Sequence, residues 1–292
     1  MISSDSDPDP ARSQAPFTLS NTHSRVEQAN GGSYRISVAL PTAPAPAEGF
    51  PVLYLLDAGA TFATVVETHR RLARRPDATG VGPACIVGIG HESRSLYDPD
   101  LRQKDFLATG AESFLDYLSA LHRRLEGELS LDPSRRVLAG HSLAGLFTLW
   151  TLVHRPQAFS AYVSLSPSLW SNPELQAQAT GLAHGAGNDP AGNRPRVFIG
   201  VGGWEEVLPQ WMAGQPGSEE IQARRAQRRM ASNAEAFART LQNLNGGPET
   251  AFQLFPDEDH ASVFAVGISR AMRHVLAPDS PKSQRAKSRT QE

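Results

Sequence analysis

Short, nearly all-apolar runs recur along this chain, separated by longer stretches with apolar residues at helical spacing, and that alternation restricts the fold more than any other feature. The runs Val52–Asp57, Ala84–Gly90, Arg136–Gly140, Ala161–Ser166 and Val197–Gly202 have almost no polar face to turn to water, as parallel strands covered on both sides require. Ser33–Leu40 and Thr250–Phe255 read as further strands. Helical periodicity marks Thr61–Arg74, Glu112–Glu126, Leu143–His154, Ile221–Asn243 and Ala261–Leu276. The pattern predicts an α/β fold, a mostly parallel twisted sheet with helices on both faces.

A length of 292 residues fits one large α/β domain, expected over 17–277. Residues 1–16 and 278–292 are rich in Ser, Pro, Asp, Lys and Arg without apolar period, and are expected to be disordered tails. Ala177–Pro195, rich in Gly, Ala and Asn, predicts an exposed loop. A net charge of −2 provides no general attraction to nucleic acid or to an anionic membrane, so neither is an expected partner. The single cysteine, Cys85, lies in an apolar strand and supports neither an internal disulfide nor a thiolate metal cluster; no metal or cofactor is expected. No window approaches the roughly 18 apolar residues of a membrane span, and the acidic start lacks a secretory pattern, so a cytoplasmic location is expected.

The most informative chemistry lies in Arg136–Phe147, where an apolar strand runs into Gly140-His-Ser142 and directly into an apolar helix. A strand-to-helix turn of this kind presents a serine hydroxyl outward at a tight, strained bend, with small residues wherever strand and helix must pass closely. Gly140 and Gly145 suit that demand, whereas Ala144 stands where the G-x-S-x-G pattern has glycine. The added methyl is expected to leave the turn intact with slightly altered packing.

A serine hydroxyl needs a base near neutral pH, and histidine has the fitting pKa. His260 follows the last predicted strand and precedes the last helix, the position of the base in a Ser…acid…His chain order. Read alone, it serves equally well as the start of that helix behind Asp259 as N-cap. His141, adjoining the serine, reads as structural, and His69, His122 and His154 fall in predicted helices. The acid should follow the preceding strand, which selects Glu205, with Glu206 as alternative. Asp257 and Asp259 are too near His260 in sequence to reach it easily. Developing oxyanion charge requires backbone donors, expected at Leu143 and at Ala58 after the Val52–Asp57 strand.

These residues resemble the esterase-D-like α/β-hydrolases, and among them the esterases that open the siderophores enterobactin and salmochelin. The resemblance is carried, in order, by Pro51–Asp57, Gly140–Leu146, Ser164–Trp170, Phe198–Gly202 with Glu205, and Asp259–Val263. It implies the α/β-hydrolase fold and cleavage of ester or lactone bonds through an acyl-enzyme at Ser142, with a small-molecule ester as partner and no catalytic metal. It further implies a substrate cleft bordered by Arg102 and Trp170. Arg102-x-x-Asp105 looks like the family's R-x-x-D segment, where the arginine either clamps an anionic ligand or pairs internally with an aspartate to fix the loop. Ala58 and Ala144 depart from the glycines common in relatives. A carboxylesterase for acetyl, feruloyl or thioester substrates, or a catalytically silent binding protein, would use the same scaffold. Finally, Arg224-Arg-Ala-Gln-Arg-Arg229 reads either as a solvated helix face or as a basic rim that attracts an anionic substrate.

Overall fold

The structure, a computed structural model, describes residues 18–93, 95–182 and 194–278. Its centre is an eight-stranded sheet of order β1-β2-β4-β3-β5-β6-β7-β8. The strands are β1 (Thr22–Ala29), β2 (Gly32–Ala39), β3 (Phe50–Leu56), β4 (Cys85–His91), β5 (Leu131–His141), β6 (Ala161–Leu165), β7 (Arg196–Gly202) and β8 (Glu249–Phe255). β2 lies antiparallel to β1 and to β4, and every other pairing is parallel.

The apolar runs form the middle of this sheet for the reason their composition suggests. In β3, Val52, Tyr54 and Leu56 join one buried cluster while Leu53 and Leu55 join the other, so both faces of the strand are covered. Helices α1 (Ala58–Ala73) and α9 (Val263–Val275) cover the second face. The first face is covered by α3 (Pro99–Phe106), α4 (Ala108–Glu128), α5 (Leu143–His154), α6 (Leu175–Ala179) and α8 (Met230–Gln242). On α9 the buried stripe is Val263, Phe264, Ile268, Ala271, Met272 and Val275; each large member contributes about 1.5–3 kcal/mol of burial.

Three local readings change. β1 is an edge strand with alternating half-buried and exposed residues, too polar for an apolar-run criterion. It joins β2 through Asn30 and Gly31, with φ 50 and 67, the tight hairpin that an Asn-Gly pair favours. The expected helix Ile221–Asn243 is two helices, α7 (Ser218–Arg228) and α8, turned at Arg229 with φ 48. The apolar stripe begins at Met230, while α7 buries only Ser218, so α7 takes no part in the apolar packing that seats α8. The expected loop from Ala177 is helical to Ala179 at the end of α6; its residues 183–193, the whole expected N-terminal tail with residue 17, and residues 279–292 of the expected C-terminal tail lie outside the described residues. Beyond these, the one-turn helix α2 (Pro76–Thr79) and α3 were not expected. Pro99 at the start of α3 and the Asp98 carboxylate accepting from Leu101 N at 3.0 Å are a local start signal. No helix among the described residues is long and apolar enough to cross a membrane.

Candidate active site

Ser142 occupies the turn between β5 and α5 with φ 60 and ψ −118, a backbone conformation costly for a non-glycine residue and characteristic of functional turns. Gly140 has no room for a side chain, since a Cβ would come within 2.3 Å of the Ala144 carbonyl oxygen, and Gly145 is tight, with a Cβ 3.0 Å from Leu165 O. Ala144 itself is fully buried, and its methyl is accommodated. Main-chain bonds pin the serine, Ser142 N donating to Leu165 O at 2.9 Å and Ser168 N donating to Ser142 O at 3.1 Å.

The loops after β7 and β8 bring the other groups to the serine. Neither Gly202 nor Gly203 has room for a side chain, since a Cβ would approach Glu258 O to 2.3 Å and Pro256 O to 2.5 Å. The two loops therefore touch backbone to backbone, with Trp204 N donating to Glu258 O at 3.0 Å. Glu205 and His260 project from this seam. His260 Nε2 lies 2.9 Å from Ser142 Oγ, and its Nδ1 lies 2.6 Å from Glu205 Oε2. The other carboxylate oxygen of Glu205 accepts from Ser166 Oγ at 2.5 Å and from Gly202 N at 2.9 Å. Glu205 is 5% exposed. Burial pushes its carboxyl upward, but the bonds from His260, Ser166 and Gly202 outweigh that and hold it below the usual glutamate range.

His141 is half-buried beside this chain. Its Nε2 donates to the His260 carbonyl at 2.8 Å, and its ring lies 4.7 Å from that of His260. Burial and the neighbouring His260 push its pKa down to about 4, so at neutral pH it is an uncharged prop for the base-bearing loop. Asp259 Oδ1 accepts from Ala261 N and Ser262 N, both at 2.8 Å, and so closes the turn into α9. His69, His122 and His154 bond elsewhere, to Gly82 O, Tyr54 Oη and Trp150 O.

Of the two glutamates, only Glu205 reaches the imidazole. Glu206 accepts from Ser232 N at 2.8 Å and Ser232 Oγ at 2.6 Å, satisfying an amide in the first turn of α8. Glu206→Gln is accordingly expected to lower stability by about 0.5–2 kcal/mol with kcat within about twofold of wild type; paired denaturant titrations and initial rates would check this.

β3 and β5 are neighbours and pair with Leu55 opposite Ala139, so the two expected amide donors, Ala58 and Leu143, lie just past the ends of adjacent strands, three and four residues beyond that pair. Ala58 opens α1 and Leu143 opens α5, and first-turn amides have no acceptor within their own helix. The Ala58 methyl fits because it packs over Gly88, where a Cβ would lie only 2.7 Å away.

The expected site residues divide around a cleft of about 280 Å³, lined in part by Ser142, Glu205, His260 and Trp170. Trp170 is 45% exposed at its mouth. Arg102 is not in the cleft wall: its guanidinium holds Asp57, with Nε 3.1 and 3.0 Å from the two carboxylate oxygens and Nη2 3.0 Å from Oδ2. Its reading as a ligand clamp gives way to the internal pair, though not with Asp105. That residue is fully buried and accepts from Tyr34 Oη at 2.6 Å and Asn30 Nδ2 at 3.1 Å, beside His91 Nε2 at 2.9 Å. The basic run, in contrast, does meet the cleft, through Arg224, Arg225 and Arg228 of α7. Arg228 lies 4.8 Å over the Trp170 ring, and among the described residues none of the three arginines is ion-paired. Ser166, Ser168 and Trp204 at the site were not singled out from sequence; Ser166 and Ser168 lie within the Ser164–Trp170 stretch, but only the fold shows which hydroxyl meets which partner. No group of three potential metal ligands is assembled among the described residues.

The sheet order, with a serine at the turn after β5 and a histidine after β8, defines an α/β-hydrolase. The chain belongs to the Esterase family, whose model, described as "Putative esterase", matches residues 28–247, and it is a hydrolase of carboxylic esters. It is 31% identical to the ferri-bacillibactin esterase BesA of Bacillus subtilis over 91% of this chain and 93% of that one. It is 30% identical to the siderophore triacetylfusarinine C esterase of Aspergillus fumigatus over 88% of this chain and 94% of that one. Among solved structures, the BES protein from Bacillus cereus superposes with a TM-score of 0.75 at 27% identity, covering 90% of this chain and 97% of that one. The siderophore hydrolase EstB from Aspergillus nidulans gives a TM-score of 0.78 at 24% identity with the same coverage of both chains.

Proposed function

We propose that this protein, as a single hydrolase domain, cleaves the ester bonds of an anionic siderophore oligoester through an acyl-enzyme on Ser142. The observation that carries the reading is the unbroken hydrogen-bonded chain Ser142–His260–Glu205 opening into a cleft lined by arginines that make no ion pair among the described residues. Ser142 Oγ attacks the ester carbonyl while His260 Nε2 takes its proton, and Glu205 stabilises the imidazolium that forms. The Leu143 and Ala58 amides donate to the carbonyl oxygen as it gains charge. As the carbonyl reforms, the alcohol portion leaves with the proton from His260. Water then repeats the sequence, releasing the acid and restoring the serine.

Substrate charge is the second element of the reading. Arg224, Arg225 and Arg228 together with the Trp170 face form a surface for rings bearing negative charge. The relatives named for ferri-bacillibactin and other siderophores support that choice. Chromatography of a ferric catecholate trilactone before and after incubation tests it. Stepwise appearance of linear trimer, dimer and monomer is expected; an intact trilactone alongside rapid cleavage of uncharged aryl esters would reduce the protein to a general carboxylesterase.

A further inference from the structure

Beside the nucleophile lies a second hydroxyl that the three-residue chain does not use. Ser168 Oγ is 3.3 Å from Ser142 Oγ, the one side-chain partner it has among the described residues. Its main chain is registered to the elbow, since Ser168 N donates to Ser142 O at 3.1 Å, and its own carbonyl accepts from Ser171 Oγ at 2.7 Å and Ser171 N at 3.0 Å. Ser168 is 7% exposed yet lines the cleft. A serine held by its backbone on both sides, with its hydroxyl on the reacting oxygen, is placed for chemistry rather than for folding.

The direction of that bond follows from the rest of the site. With Glu205 on Nδ1, the neutral imidazole carries its hydrogen there and leaves Nε2 to accept the Ser142 proton. Ser142 Oγ thus has its hydrogen committed and can only accept from the Ser168 hydroxyl, which is the donor. At 3.3 Å the contact is loose for an O–H···O bond, and it strengthens when the acceptor gains charge.

We infer that Ser168 is a further catalytic residue, one that donates a hydrogen bond to Ser142 Oγ as that oxygen leaves the acyl group in deacylation. This rests on the acyl-enzyme reading above. In the acyl-enzyme, Oγ is an ester oxygen and a poor acceptor. After water adds, with its proton passing to His260, the C–Oγ bond breaks and its electron pair returns to Oγ. Oγ takes the proton from His260, the carboxylic acid departs, and the Ser168 bond forms against the charge that builds on Oγ meanwhile. The bond is already made in the free enzyme that begins acylation but is weak in the acyl-enzyme that begins deacylation, so its strengthening as the serine is expelled accelerates deacylation more than acylation.

The test is pre-steady-state hydrolysis of p-nitrophenyl acetate by wild type, Ser168→Ala and Ser168→Thr, with intact-mass measurement of the quenched protein. In Ser168→Ala the burst rate should stay within about twofold while the steady-state rate falls about tenfold, the effect of one hydrogen bond to an oxygen that gains charge. The acetyl adduct should then accumulate, and Ser168→Thr, which keeps the hydroxyl, should restore turnover. Burst and steady-state rates falling together, or neither changing, would overturn the assignment. A wild type that shows neither burst nor adduct would overturn it together with the acyl-enzyme reading.

Discussion

Ser142→Ala is expected to lower kcat for every ester substrate by at least about 10⁴-fold, the scale on which loss of a covalent nucleophile acts when the rest of the site survives. The turn should survive. Gly140 and Gly145 create the space for the crossing of β5 and α5, and the bonds from Ser142 N to Leu165 O and from Ser168 N to Ser142 O are main-chain bonds that alanine keeps. Stability should therefore remain within about 1 kcal/mol of wild type, and the cleft with its arginines should still bind substrate. The checking measurements are kcat on an aryl ester and a thermal melt. An unchanged melt with activity above a few per cent would remove Ser142 from the reaction, whereas a collapsed melt would mean the hydroxyl has a structural role that the geometry does not suggest.

Glu205→Gln is expected to cost about 10³–10⁴-fold in kcat, and the reason lies in which oxygen is already occupied. Ser166 Oγ and Gly202 N both donate to Oε1. In the glutamine these two donors retain the amide oxygen in that place, so the amide NH₂ must face His260 Nδ1. An NH₂ donor there requires Nδ1 to be the acceptor, which moves the imidazole hydrogen to Nε2. Nε2 then presents a hydrogen to Ser142 instead of a lone pair and cannot take its proton. The effect should fall on kcat with little change in KM, because Glu205 lies behind the imidazole from the serine. A Glu205→Gln enzyme with near-normal kcat would show that the Ser142–His260 pair suffices alone.

The sequence disclosed most of the sheet because the inner strands, buried on both faces, have compositions that admit few other uses. It disclosed less wherever placement depends on the tertiary arrangement. β1 escaped an apolar-run criterion because half of it faces water, although Asn30-Gly31 was a local hairpin signal that could have revealed it. The break at Arg229 has no comparable signal: an arginine rarely adopts the left-handed conformation it has here, so nothing in the residue type announces the turn.

The same division runs through the site. Ser142 and His260 could be singled out because each follows an apolar strand at a recognisable place in chain order. The choice between Glu205 and Glu206 could not be made from adjacent identical residues; it is made in space by the seam at Gly202 and Gly203, which turns one carboxylate to the imidazole and leaves the other for Ser232. Arg102 misled because an arginine near a cleft suits an anionic ligand and a buried aspartate equally well, and Asp57 is forty-five residues away in the chain. The basic run on α7 was ambiguous for a related reason: an exposed helix shows its charges to water and to the cleft alike until its angle is known.

One measurement bears on the whole account, namely reaction of the folded protein with a fluorophosphonate followed by intact-mass analysis and peptide mapping. A single phosphonyl group on Ser142 is predicted, formed rapidly in wild type and lost when His260 is replaced by alanine, with no label on Ser168. A folded protein that stays unlabelled while a known esterase reacts in the same tube, or a label carried by any other residue, would contradict it.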